Sequence, residues 1–128
     1  MSVLAGCASG PCPSGQELRQ EWHAPDKLKA RGCVGRKADG NYRLEGRWEF
    51  FYANGQKRAE GTYKNGLAGK EDDGREGPWG YWYENGQVKK EGEFKANKQT
   101  GTWKLYHDNG QLEAEGAFDA GMPTGAWV

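Results

Sequence analysis

From Gly46 onward aromatic and polar residues alternate in short runs, and each run ends in Asn-Gly. Trp48-Glu49-Phe50-Phe51-Tyr52-Ala53 has the period-2 pattern and aromatic content of a strand, Asn54-Gly55 follows, and Gln56 to Tyr63 reads as the returning strand. The whole phrase, W-x-x-[FWY]-[YH]-x-N-G-Q-x-x-x-E-G-x-[YF], begins again at Trp79 and Trp103, and Gly125-Ala126-Trp127 opens a fourth copy. The steps between these tryptophans are 31, 24 and 24 residues. The longer first step holds a seven-residue acidic insert, Lys70-Glu71-Asp72-Asp73-Gly74-Arg75-Glu76. A repeat of this length marks an array whose units bury their apolar faces against their neighbours. Asn-Gly readily holds positive φ at both centres of a two-residue type I′ turn, so a hairpin is predicted at Asn54-Gly55, Asn85-Gly86 and Asn109-Gly110.

Alternation along each first strand assigns faces. Trp48, Phe50 and Tyr52 share one face, as do Trp79, Tyr81 and Tyr83, and Trp103, Leu105 and His107; Phe51, Trp82 and Tyr106 point the other way. Gly61, Gly92 and Gly116 recur at one offset in the returning strands. Glycine inside a strand marks a bulge or a close approach, here an aromatic ring from the adjacent hairpin lying flat on the backbone. The fold class expected is all-β: a meandering array of antiparallel β-hairpins forming a single elongated twisted sheet, with an irregular N-terminal cap. Residues 1–15 are rich in Gly, Pro and Ser and read as a tether. Residues 16–45 read as a divergent capping unit, with Gly15 to Glu21 aligned on Gly110 to Glu115, and residues 46–128 as the array.

Composition shifts the core from aliphatic to aromatic. Mean hydropathy is −1.03, a value associated with disorder, yet the chain has 16 aromatic residues and no Ile. Fourteen of those rings lie in the repeats, all except Trp22 and Tyr42, and each buries roughly 150–250 Å². Eighteen basic residues are interspersed with eighteen acidic ones, which gives no electrostatic basis for a nucleic acid or an anionic membrane surface as ligand. No run of apolar residues is long enough for a transmembrane helix.

The recurring G-x-W, Asn-Gly-Gln, Glu-Gly and aromatic positions, in register three times over residues 46–128, resemble the bacterial variant of the MORN repeat. That resemblance implies a meander of hairpins and a scaffold or interaction role with a protein partner; some members of the family are described as antitoxins. A smaller stretch, Gly80 to Gly86, is similar to choline- and glucan-binding cell-wall repeats, although those lack the Gln…Glu-Gly half.

Little in the chain points to catalysis. His107 stands where the other units have Tyr52 and Tyr83, so it reads as a ring substitute, and His23 lies beside Trp22 in the irregular head. Glu60, Glu91 and Glu115 recur with the repeat and read as structural charges that pair with Lys or Arg and protect sheet edges. No metal ligand set, cofactor motif or nucleophile with an adjacent base is apparent. The expectation is therefore a non-enzymatic interaction module, with an antitoxin or immunity-type blocker and a cell-wall glycan or choline binder as alternatives.

Three features carry candidate specificity. Phe51, Trp82 and Tyr106 would form an aromatic stripe on the less covered face, since Tyr and Trp are frequent interface anchors. Glu71, Asp72 and Asp73 lie in the one departure from the regular period. The strand opened at Trp127-Val128 either closes the last unit or leaves an edge for self-association. The address rests on cysteine. Leu4-Ala5-Gly6-Cys7 matches a lipobox ahead of a Ser/Gly/Pro tether, which makes Cys7 a lipidation candidate and the cell envelope the expected location. The six residues upstream lack a basic n-region and an apolar h-region, so the match is either accidental or follows a shortened leader. Cys12 and Cys33 remain as a pair able to form a disulfide in an oxidising compartment; a cytoplasmic protein with three thiols is the alternative.

Overall fold

A computed structural model describes residues 12–125 and 127–128; Cys7 and most of the predicted tether lie outside them. The described residues form one nine-stranded sheet in strict sequence order, with every neighbouring pair antiparallel. The strands are β1 (Gln16–Ala24), β2 (Lys27–Arg36), β3 (Tyr42–Phe51), β4 (Lys57–Leu67), β5 (Arg75–Trp82), β6 (Val88–Lys95), β7 (Lys98–Tyr106), β8 (Leu112–Asp119) and β9 (Met122–Thr124). No helix occurs among the described residues.

The three Asn-Gly turns differ from the expected type. Gly55, Gly86 and Gly110 have positive φ, but the asparagines before them do not. Gly55 N–H donates to Tyr52 O and Tyr52 N–H to Gln56 O, so the loop is a turn closed by one left-handed glycine. The asparagine side chain explains the choice. Asn54 Oδ1 accepts Gln56 N–H at 2.9 Å while its Nδ2 donates to Glu84 O of the next hairpin at 3.0 Å, and Asn85 repeats both bonds. The tightest links join the units instead: Ala96 and Asn97 have φ of 51° and 68°, and Ala120 and Gly121 have 50° and 89°.

The N-terminal cap is a hairpin of the same kind. Gln16 to Glu21 is a first strand, so its alignment with the returning strand at Gly110 to Glu115 is overturned. Gly32 occupies the Glu-Gly position, and the reversal falls at Pro25-Asp26, with Asp26 at φ 70°. Pro25-Asp26 takes the place of Asn-Gly, with Pro fixing φ and Asp tolerating the left-handed region. The Cys12 and Cys33 sulfurs are bonded, with Cα atoms 5.8 Å apart, which holds residue 12 against β2.

The core is a file of rings on one face. Trp48, Tyr63, Trp79, Phe94, Trp103, Phe118 and Trp127 follow one another edge to face, the geometry that sets positive ring edges against negative faces. Each tryptophan lies flat over a glycine of the preceding strand: Trp48 on Gly32, Trp79 on Gly61, Trp103 on Gly92 and Trp127 on Gly116. The Gly-x-Trp motif lifts the ring into place. At Gly61/Thr62 the register against β5 slips by two residues, and Gly77 there has φ 75°. The raised indole then donates from Nε1 to the carbonyl after the glycine beneath it, Trp48 to Cys33 O, Trp79 to Thr62 O and Trp103 to Glu93 O.

Candidate functional site

Opposite the ring file, each strand from β1 to β8 contributes one residue to a row crossing the sheet. Gln20, Arg31, Glu49, Glu60, Gly80, Glu91, Lys104 and Glu115 stand directly opposite one another in turn. The glutamates are thus mostly interior to the sheet, which corrects their reading as edge guards. Three of the four side chains are engaged: Arg31 donates to Glu49 at 2.7 Å, Lys57 reaches Glu49 at 3.3 Å and Glu60 at 3.0 Å, Arg47 pairs with Glu60, and Tyr106 OH donates to Glu91 at 2.9 Å.

Partial burial raises the Glu49 pKa, but the hydrogen bond and charge of Arg31, with Lys57, outweigh it and hold the group below the ordinary 4.5. A depressed folded value contributes stability above pH 4.5 and loses it as the pH falls through the folded value. Glu49→Gln is expected to cost about 1 kcal/mol near neutrality. Urea melts of both proteins should converge in acid; a gap that persists well below pH 4 would show that packing, not charge, is involved.

Phe51, Trp82 and Tyr106 flank this row, all half-buried. Arg31 lies 6.0 Å from the Phe51 ring centre and Lys57 5.7 Å from that of Trp82. Trp82 turns back across Gly80, where an added Cβ would come within 2.8 Å of its ring. Gly80 stands where β3 has Glu49 and β7 has Lys104, so the Trp82 ring takes the place of a charged side chain in the row. Beside it lies a groove of about 480 Å³ bordered by Arg47, Glu60, Trp82, Glu91 and Lys104. A groove with an aromatic wall and charges of both signs suits a polypeptide surface.

The acidic insert does not extend away from the array. It folds over the ring file: Tyr63 OH donates to Glu71 O at 2.6 Å, Arg58 to the Glu71 carboxylate at 2.9 Å, Asn97 Nδ2 to Asp72 O at 2.6 Å, and Leu67 N–H to the Asp73 carboxylate at 2.8 Å. Burial, then the Glu71 charge, pushes the Tyr63 hydroxyl far above the ordinary tyrosine value. Glu71, Asp72 and Asp73 therefore lie on the opposite side of the sheet from Phe51, Trp82 and Tyr106, and the structure does not bring the two sets together.

The aligned position of Tyr52, Tyr83 and His107 forms a third set, whose bonds between hairpins the sequence does not show. Tyr52 OH donates to Trp82 O at 2.6 Å and Tyr83 OH to Tyr106 O at 2.7 Å. His23 Nε2 makes the corresponding bond to Phe51 O at 2.9 Å. His23 thus belongs to the same series as Tyr52, Tyr83 and His107, a match that the reading of Gln16 to Glu21 as a returning strand conceals. His107 lies 3.9 Å from Glu113. No group of residues suited to a metal ion occurs among the described residues.

The model of the MORN repeat variant matches residues 44–65, 75–96 and 99–120, together just over half of the chain. The three spans coincide with the hairpins β3–β4, β5–β6 and β7–β8. No curated protein and no solved structure matches the chain. Hairpins matched three times, each built on the same tryptophan-over-glycine contact, make this chain a member of the MORN repeat variant family.

Proposed function

We propose that the chain is a non-enzymatic protein-binding module that works at the cell envelope, tethered by lipid on Cys7. The observation carrying the binding role is the stripe of Phe51, Trp82 and Tyr106 beside the charged row, with the groove at Gly80 in its middle. Trp82 walls the groove, with Phe51 and Tyr106 on the same face, and half-buried aromatic side chains rimmed by charges are the arrangement of interface anchors. Glu49, Glu60 and Glu91, the carboxylates nearest the groove, are held by Arg31, Lys57, Arg47 and Tyr106, which favours binding over acid–base chemistry at this face. The envelope address draws support from the Cys12–Cys33 bond, since such bonds persist in oxidising compartments.

The test is crosslinking capture from cells with the native chain and with Trp82→Ser/Tyr106→Ser. The pair should abolish recovery of a specific partner while moving the melting temperature by only a few degrees. Equal recovery would overturn the assignment of this face. Retention on cell-wall polysaccharide, released by choline or free sugar, would turn the reading to a glycan binder. Lipid on Cys7 is read separately by mass spectrometry of the membrane fraction.

A further inference from the structure

The ring file is covered unevenly. Where the first hairpin unit meets the second, the insert roofs Phe50, Tyr63, Trp79 and Tyr81, leaving a space of about 120 Å³, and Tyr63 is 2 % exposed. Two steps along, Leu105 takes the place of Phe50, Phe118 that of Tyr63, Trp127 that of Trp79 and Pro123 that of Arg75. No insert follows, and a groove of about 370 Å³ lies open among Trp103, Leu105, Phe118 and Trp127. Its one charged wall is Lys90, at the position held by Ala59 and Ala114 in the other units.

Lys90 is half-buried and lies 4.9 Å from the Tyr81 ring centre. It takes part in none of the ion pairs among the described residues. Burial first, then the charges of Lys89 and Arg75, lowers its pKa. A cation at an apolar groove with no carboxylate is a site short of an anion. The chain itself covers one such groove with an acidic turn: over the first junction the Glu71 carboxylate accepts from Arg58, next in sequence to Ala59, and the Glu71 carbonyl accepts from Tyr63 OH.

We propose that this groove binds an acidic peptide turn from a partner protein, with an apolar side chain seated between Leu105 and Phe118 and the adjoining carboxylate paired with Lys90. The proposal rests on the reading of the array as a protein-binding module, and it assigns a second surface on the opposite face from Trp82. An apolar contact supplies area and the single cation fixes polarity and register.

The probe is a capped hexapeptide, Ac-LEFDGL-amide, titrated into the full chain while the indole N–H signals of Trp103 and Trp127 are followed by NMR. Saturable shifts of both signals are expected. Lys90→Ala, a residue already accommodated at the equivalent positions 59 and 114, should weaken binding at least about tenfold, as loss of a charge-assisted bond does. Lys90→Gln should do the same, and Lys89→Ala should leave affinity unchanged. The amide analogue Ac-LQFNGL-amide should bind native protein as poorly as the acidic peptide binds Lys90→Ala. Equal affinity for Lys90→Ala or for the amide analogue overturns the proposal, as do flat titrations at millimolar peptide. Decanoate binding as tightly as the peptide would assign the groove to a small amphiphile instead. Capture through Trp82 and Tyr106 does not involve this groove, so failure here and failure of the binding-module reading are told apart.

Discussion

Trp79→Ala is expected to remove about 3–5 kcal/mol of stability, the range for deleting a buried indole. Trp79 is 3 % exposed, touches Tyr63 and Phe94 edge to face at 5.0 and 6.2 Å, stacks on Tyr81 and donates to Thr62 O. Its removal leaves a cavity over Gly61, where the glycine has no side chain to collapse into the space. The sheet is one layer with each hairpin packed only on its neighbours, so the loss should be local before it is global. Amide exchange in β4, β5 and β6 should accelerate most, while β1 and β2, tied by Cys12–Cys33, keep their protection. A cost below about 1 kcal/mol in urea would show that the ring file does not carry the core.

Much of this architecture is legible in the sequence because the repeat writes each rule three times. Period-2 alternation correctly separates Trp48 and Phe50 from Phe51, and Trp79 from Trp82, since strand geometry fixes that direction locally. The flat ring over Gly61, Gly92 and Gly116 is also legible, from glycine at one fixed strand offset. What escaped depends on contacts between units. Backbone preference explains Asn54 only as a turn residue, whereas its side chain also bridges to Glu84 of the next hairpin. Gly77 and its equivalents allow the register slips that raise the tryptophans, a role that only pairing with the preceding strand reveals.

The candidate sites follow the same division. Phe51, Trp82 and Tyr106 lie on one side, as alternation requires, but the groove beside Trp82 lies along a row of charges, interrupted at Gly80, that long-range register sets. The acidic insert could be located by its break in period. That it folds back over Tyr63 was not legible, because the bonds that hold it come from Arg58 in β4 and Asn97 beyond β6. Its position in turn exposes the asymmetry of the ring file and the unmatched cation at Lys90.

Gly92→Ala is expected to be nearly as damaging as loss of the ring above it. The glycine has no positive φ, so backbone preference predicts that alanine would be neutral or stabilising by about 0.4–1 kcal/mol. Space predicts the opposite. A Cβ there would sit 2.2 Å from Trp103 Cδ2. Trp103 is 0 % exposed, held by its bond to Glu93 O at 3.0 Å and wedged between Phe94 and Phe118. Moving it forfeits that bond and most of its packing, a net cost of about 3 kcal/mol once the backbone gain is set against it. Gly35→Ala supplies the contrast: its nearest neighbours would be the Gln16 and Glu45 side chains at 3.6 and 3.7 Å, and its cost should stay within about 0.5 kcal/mol. Equal melting curves for the two alanine variants would refute the view that close approach, not chain flexibility, is why the repeat keeps glycine beneath each tryptophan.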